Sequence, residues 1–101
     1  MEIKTDNDNA RIIPGEKIDL TNSNNLKEEG MKLIEKEIKN IFLDFKNVKE
    51  IDSSAIGKIL LLIKLTKENN INLIIENVNS NYVEKVFNML DLGEVVEIKD
   101  L

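Results

Sequence analysis

The segment Ile41-Phe42-Leu43-Asp44-Phe45, followed after a short loop by Asp52-Ser53-Ser54-Ala55-Ile56-Gly57, decides how this chain is read. The first part is β-branched and aromatic and predicts a strand. The residues from Ile56 to Leu65 repeat apolar side chains at helical spacing. Two hydroxyls therefore fall on a strand-to-helix turn, where backbone N–H groups point outward and favour negative charge. A phosphate on one of those serines would be accepted there at little structural cost, which points to a phosphorylation switch.

Outward from this turn, Met1 to Thr5 predicts a first strand and Asp6-Asn7-Asp8-Asn9 a polar hairpin turn. A second strand is expected from Ala10 to Ile18, broken by a bulge or edge position at Pro14-Gly15. Asp19 to Asn25 is a polar loop with helix-capping residues. Leu26, Gly30, Leu33, Ile34 and Ile38 then mark one face of a helix reaching about Asn40. A loop carrying Val48 and Ile51 leads to the serines. The helix after them ends near Asn69-Asn70, and Ile71 to Glu76 is a buried strand. Asn79 or Ser80 caps a helix bearing Val83, Val86, Phe87 and Leu90, and Val95 to Ile98 closes the chain as a strand. A hairpin followed by alternating helices and strands predicts a single α/β domain over residues 1–101 with a mixed sheet and right-handed crossovers. Sites in such sheets gather beyond the strand C-termini, which selects the loops Asp19 to Asn25, Lys49 to Ser54 and Asn77 to Ser80.

Composition narrows the function. The 101 residues include neither cysteine nor histidine, which removes the usual nucleophile–base pairs and most metal-ligand sets; no metal site and no cofactor is expected. The net charge of −5 and a single arginine, Arg11, argue against nucleic acid. Met1-Glu2-Ile3-Lys4 opens no signal peptide, and the run Ile59 to Ile63 is too short to span a bilayer. A cytoplasmic location without membrane attachment is the expectation.

The element order and the serine turn together resemble the STAS domain, and more narrowly a stand-alone bacterial anti-sigma-factor antagonist. Leu43-Asp44-Phe45, Val48 and Ile51-Asp52-Ser53-Ser54-Ala55-Ile56-Gly57 are similar to that family's strand-then-Asp-Ser-Ser signature. Asp19-Leu20 with Leu26 resembles its loop into the first helix, and Val86-Phe87-Asn88-Met89-Leu90-Asp91-Leu92 its closing helix. The chain departs from the pattern at Lys17, Ala55 and Asp91, where glycine is common. The resemblance implies a partner-switch cycle. The unphosphorylated domain binds an anti-sigma factor that is also a serine kinase, phosphorylation ends the grip, and a metal-dependent serine phosphatase resets it. By position the acceptor is Ser54, with Ser53 second. The implied partner-binding residues are Asp19, Thr21, Asp52, Ser53, Ser54, Ile56 and Lys58.

Physically, Asp52 either caps the helix alongside Ser53, or holds the loop, or meets a basic group of the kinase. Ile56, Ile59, Leu60 and Ile63 are expected on the core face of the second helix, with Leu61, Leu62 and Leu65 spreading toward Lys58 and covered by neighbouring helices. Three rival readings remain. A STAS scaffold subunit of a larger stress-signalling assembly would share fold and phosphosite. A response-regulator phosphoacceptor would place an acyl phosphate on Asp52 and need an acidic pair, nominally Asp6 and Asp8, to hold magnesium. An enzyme in its own right lacks any phosphate-binding glycine loop or catalytic pair.

Overall fold

A computed structural model describes the whole chain, Met1 to Leu101. Strands β1 (Glu2–Asp6) and β2 (Asn9–Ile13) form the antiparallel hairpin, turned at Asn7, which takes φ 54. Asparagine tolerates that left-handed geometry better than most residues. Strands β4 (Asn40–Asp44), β6 (Asn72–Glu76) and β7 (Glu97–Ile98) continue in parallel from β2, in the order β1-β2-β4-β6-β7. Alternate residues of these strands point to one face, as a pleat of period two dictates. Ala10, Ile12, Ile41, Leu43, Leu73 and Ile75 meet Leu26, Leu33, Ile59, Leu62, Val83 and Phe87 in one core. The latter come from α1 (Ser23–Glu35), α2 (Ser53–Glu68) and α3 (Asn81–Met89), so the three helices share that core face of the sheet. The mixed α/β architecture expected from the sequence is observed.

Five local expectations are corrected. The second strand does not run to Ile18; β2 ends at Ile13 because Pro14 has no N–H to continue the ladder. Lys17–Ile18 is a separate strand, β3, paired in parallel with β5 (Glu50–Ile51) in a small second sheet. The segment expected as plain loop before the serines therefore contains a strand. The Glu16 carbonyl accepts the Lys49 and Glu50 amides at 2.7 and 3.2 Å, and the Ile18 carbonyl accepts Asp52 N–H at 3.2 Å.

Helix α1 starts earlier and stops earlier than its apolar spacing suggests. Glu37 turns left-handed at φ 60, and the amides of Glu37 and Ile38 close back on Ile34 and Leu33. Ile38 is buried beyond the helix, so its spacing from Ile34 mimics one more turn. On α2 the buried set is Ala55, Ile59, Leu62, Ile63 and Thr66; Ile56 is half-buried and Leu60 is exposed. The core face is rotated because α1 lies against Leu62. A Cβ at Gly30 would stand 2.5 Å from Leu62 Cδ2, so only glycine admits this approach without a shift. The last strand is shorter than expected. Asp91 takes φ 50 and leads into a 3-10 turn, Leu92–Glu94, which occupies the chain through Val95 before β7 begins.

Candidate functional site

The serine turn is built from Asp52 outward. Asp52 has extended backbone, and its side chain caps α2 by accepting the Ala55 amide on Oδ1 at 3.0 Å. Its other oxygen, Oδ2, accepts the Leu20 amide at 3.0 Å, from a loop 32 residues away in sequence. Asp52 is thus both cap and loop-holder, and Ser53 is not the cap. Ser53 and Ser54 are the first two residues of α2, exposed and half-buried respectively. Their amides are the helix's leading donors, which have no carbonyl partner inside it. The first turn itself carries no acidic side chain, so the Asp52 carboxylate at the cap is the one negative group facing the positive end of the helix dipole.

The loop from β3 to α1 is rigid by its own hydrogen bonds. Asp19 Oδ1 accepts the Thr21 amide at 2.9 Å and the Thr21 hydroxyl as well. Asn22 Oδ1 accepts the Asp19 amide, and Asn22 Nδ2 donates to the Lys17 carbonyl, each at 2.8 Å. The Thr21 hydroxyl, then the Thr21 amide, hold the Asp19 carboxyl below the usual carboxylate range, with Lys17 adding attraction. Five of the seven anticipated residues, Asp19, Thr21, Asp52, Ser53 and Ser54, therefore belong to two segments fastened by Asp52. Ile56 stands four residues beyond Asp52 and Lys58 four beyond Ser54, each on the same helix face as its predecessor and each half-buried.

A second support is invisible to motif reading. The entry to α3 fastens the segment that leads to the serines. Asn77 Nδ2 donates to Asp44 Oδ1 at 2.9 Å, Ser80 Oγ to the Lys49 carbonyl at 3.0 Å, and the Tyr82 hydroxyl to the Ile51 carbonyl at 3.3 Å. Ser80, not Asn79, is the α3 cap, accepting Val83 N–H at 3.2 Å. Beneath them Asp44 is buried and also accepts the Lys46 amide and Arg11 Nη1, both at 3.0 Å. Arg11 Nη1 lies 2.6 Å from Glu76 Oε1 in a close ion pair rather than an aligned hydrogen bond. Burial alone would push the Asp44 carboxyl up, but the Asn77, Lys46 and Arg11 donors together bring it below its ordinary value.

Of these residues, Leu20 and Asn22 lie in a loop the sequence selected without being singled out as site residues, and Tyr82 lies outside the selected loops. The available signals were the polar run Thr21-Asn22-Ser23 and the placement of the only tyrosine just inside α3. The response-regulator arrangement is not assembled: Asp6 ends β1 beside the hairpin turn, at the opposite end of the sheet, and both Asp52 oxygens are engaged. No group of histidine, cysteine, aspartate or glutamate is placed to hold a metal ion, and no helix is long and apolar enough to cross a membrane.

A family model described as the STAS domain matches residues 1–100. The chain belongs to the STAS domain family. No curated protein sequence matches it. Among solved structures, a Thermotoga maritima protein assigned to the anti-sigma factor antagonists is 24% identical, with a TM-score of 0.89 over 99% of this chain and 86% of that one. The anti-sigma factor antagonist SpoIIAA in its unphosphorylated form is 17% identical, with a TM-score of 0.77 over 99% and 87%. An anti-sigma factor antagonist from Mycobacterium paratuberculosis is 10% identical, with a TM-score of 0.80 over 99% and 84%. At these identities the likeness establishes a shared fold. Two of this STAS domain's departures from the family pattern are accommodated by it: Ala55 is fully buried, and Asp91 adopts the left-handed conformation that glycine would take.

Proposed function

We propose that this STAS domain is an anti-sigma-factor antagonist that works by partner switching, with Ser54 as phosphoacceptor. The observation that carries the reading is the division of labour at the α2 N-terminus. Asp52 supplies the cap, so neither serine hydroxyl is needed to hold the helix, while the amides of Ser53 and Ser54 stand open to an anion. Unphosphorylated, the domain binds an anti-sigma factor with serine-kinase activity through Asp19, Thr21, Asp52, Ser53, Ser54, Ile56 and Lys58. Transfer moves the γ-phosphoryl of ATP to Ser54 Oγ, with loss of the hydroxyl proton and release of ADP. The kinase supplies the base and the magnesium. A metal-dependent serine phosphatase reverses the modification by hydrolysis. In this cycle the domain is substrate and ligand rather than enzyme, and its place is the bacterial cytoplasm, where it controls sigma-factor-dependent transcription. The solved relative SpoIIAA exists in both unphosphorylated and phosphorylated forms, which supports the same cycle here.

Phosphorylation adds roughly −1.5 to −2 charges and three acceptor oxygens. The helix end tolerates this, contributing about 0.3–1 kcal/mol at an exposed site. The test is intact-mass and peptide mass spectrometry on the protein incubated with ATP and an anti-sigma-factor serine kinase of the same organism, with Ser54→Ala and Ser53→Ala in parallel. One phosphate, lost only in Ser54→Ala, is expected. A phosphate surviving both substitutions would place the chemistry elsewhere. Tight binding without phosphorylation would move the protein to a scaffold role.

A further inference from the structure

Leu20 is 78% exposed, one of several exposed large apolar side chains of this chain, but it differs from them in standing on the loop that Asp52 ties to the serine turn. Its loop does not leave it there by looseness. The Asp19 carboxylate, the Asn22 amide and the Thr21 hydroxyl bond within the loop or to the adjoining Lys17 carbonyl, and the Leu20 amide itself is tied to Asp52. The loop tip presents Leu20 and Thr21 to solvent, and Leu20 is its one exposed apolar side chain, on a pre-organised backbone. Asp52 directly precedes Ser53 and Ser54, so the same carboxylate that starts the switch helix fixes Leu20 beside it. The face of α2 that carries Asp52 continues through half-buried Ile56 to exposed Leu60, at i+4 and i+8.

We propose that Leu20 is the apolar anchor by which the kinase partner seats on this domain, with Leu60 extending the contact along α2. This rests on the reading of Ser54 as phosphoacceptor, and it commits the occupant. Any protein that brings an ATP γ-phosphate to Ser54 must cover the surface around the α2 N-terminus, and Leu20 is desolvated when it does. The partner therefore carries an apolar pocket next to its nucleotide site. An anchor on a rigid loop loses little conformational freedom on binding, the condition under which a single side chain dominates an interface. Burying one leucine side chain corresponds to roughly a ten- to hundred-fold gain in affinity.

The experiment uses as probe the anti-sigma-factor serine kinase that phosphorylates Ser54 in the test above. Its affinity for the wild type, Leu20→Ser, Leu20→Met, Leu60→Ser and Met89→Ser is measured by calorimetry, and phosphorylation of each is followed under steady state. Met89 is 83% exposed near the end of α3 and serves as an apolar control. Leu20→Ser is expected to weaken binding at least about tenfold and to raise KM with kcat retained, because Leu20 seats the partner without taking part in phosphoryl transfer. Leu20→Met is expected to restore most of the loss and Met89→Ser to change nothing. Thermal melts equal to wild type establish that Leu20→Ser is folded. Unchanged binding by Leu20→Ser, with Ser54 still phosphorylated, overturns the anchor and leaves the antagonist reading standing. Equal losses in Leu20→Ser and Met89→Ser also overturn it. Absence of both binding and phosphorylation in the wild type overturns the two together.

Discussion

Replacing Asp52 by alanine removes two bonds that lie on opposite sides of the site, and the cost follows from their geometry. The cap to the Ala55 amide at 3.0 Å is worth about 1 kcal/mol, within the usual range for caps of this type. The bond to the Leu20 amide, also 3.0 Å, involves a charged acceptor in an exposed setting and adds about 1 kcal/mol. A combined loss of about 2 kcal/mol lowers the melting temperature of a domain of this size by roughly 8–16 °C. Asp52→Asn separates the contributions. Its single carbonyl oxygen serves as a cap as well as aspartate does, but no second acceptor remains for Leu20. About half the thermal loss is expected, with the Leu20 amide alone exposed to exchange. The assay is thermal melting with residue-resolved amide hydrogen exchange on the three proteins. Faster exchange at Leu20 and Ala55 in Asp52→Ala, and at Leu20 only in Asp52→Asn, is the expected pattern. A melting temperature of Asp52→Ala within about 2 °C of wild type, or an unchanged Leu20 amide, would refute the view that one carboxylate joins loop to helix.

Two further perturbations test the surroundings. Ser54→Asp places a negative charge in the first turn of α2, so the melting temperature is expected to stay level or rise by a few degrees while affinity for the proposed kinase partner drops at least about tenfold; a large thermal loss would mean that the hydroxyl is structural. Asp44→Asn removes one of the two carboxylate charges that Arg11 faces and is expected to cost about 1–3 kcal/mol at neutral pH by urea unfolding. Because the folded carboxyl titrates below its ordinary value, its contribution is complete above about pH 4 and disappears as pH falls through the lowered folded value. The gap between wild type and Asp44→Asn should therefore close in acid; a gap that stays constant would exclude Asp44 as the titrating group.

The parts of this fold that were legible in the sequence are those in which one residue type has one physical use. The β-branched and aromatic run from Ile41 to Phe45 and the apolar spacing of α3 place β4 and α3 directly, because each pattern suits only one kind of element. Misreadings arose where tertiary contact overrode spacing. Ile38 continues the apolar pattern of α1 yet packs after a left-handed Glu37, and nothing local distinguishes that from another helical turn. The pair β3 and β5 has two residues in each strand, too few for any period to register, and exists because the two segments meet across the fold. Leu60, expected in the core, is exposed, while Leu62 is covered by a neighbouring helix as expected and takes a core place, because the deciding partner, Gly30, is the absence of a side chain on that helix. For the site, Asp52 was visible as a cap, but its bond to a backbone amide 32 residues away was not, since a backbone donor leaves no mark in the sequence.

That same bond bears on how a phosphate at this turn could be read. The loop from β3 to α1 spends its polar groups on its own geometry, and Asp52 has both oxygens occupied before any modification occurs. A phosphate at Ser54 therefore meets open helix amides and a fixed neighbour, with no internal bond that it must break. The stabilisation available from the helix end, about 0.3–1 kcal/mol, acts whether or not a partner is present and cannot by itself separate bound from free. Discrimination has to arise where the new charge is desolvated against the partner, and about 1.4 kcal/mol of unfavourable contact there gives a tenfold change in affinity. A rigid turn makes that contact unavoidable: with Leu20 and the first turn of α2 held in one frame, the partner cannot keep the apolar contact while stepping away from the phosphate. On this reading the rigidity conferred by Asp52 is what converts a tolerated modification into a release signal.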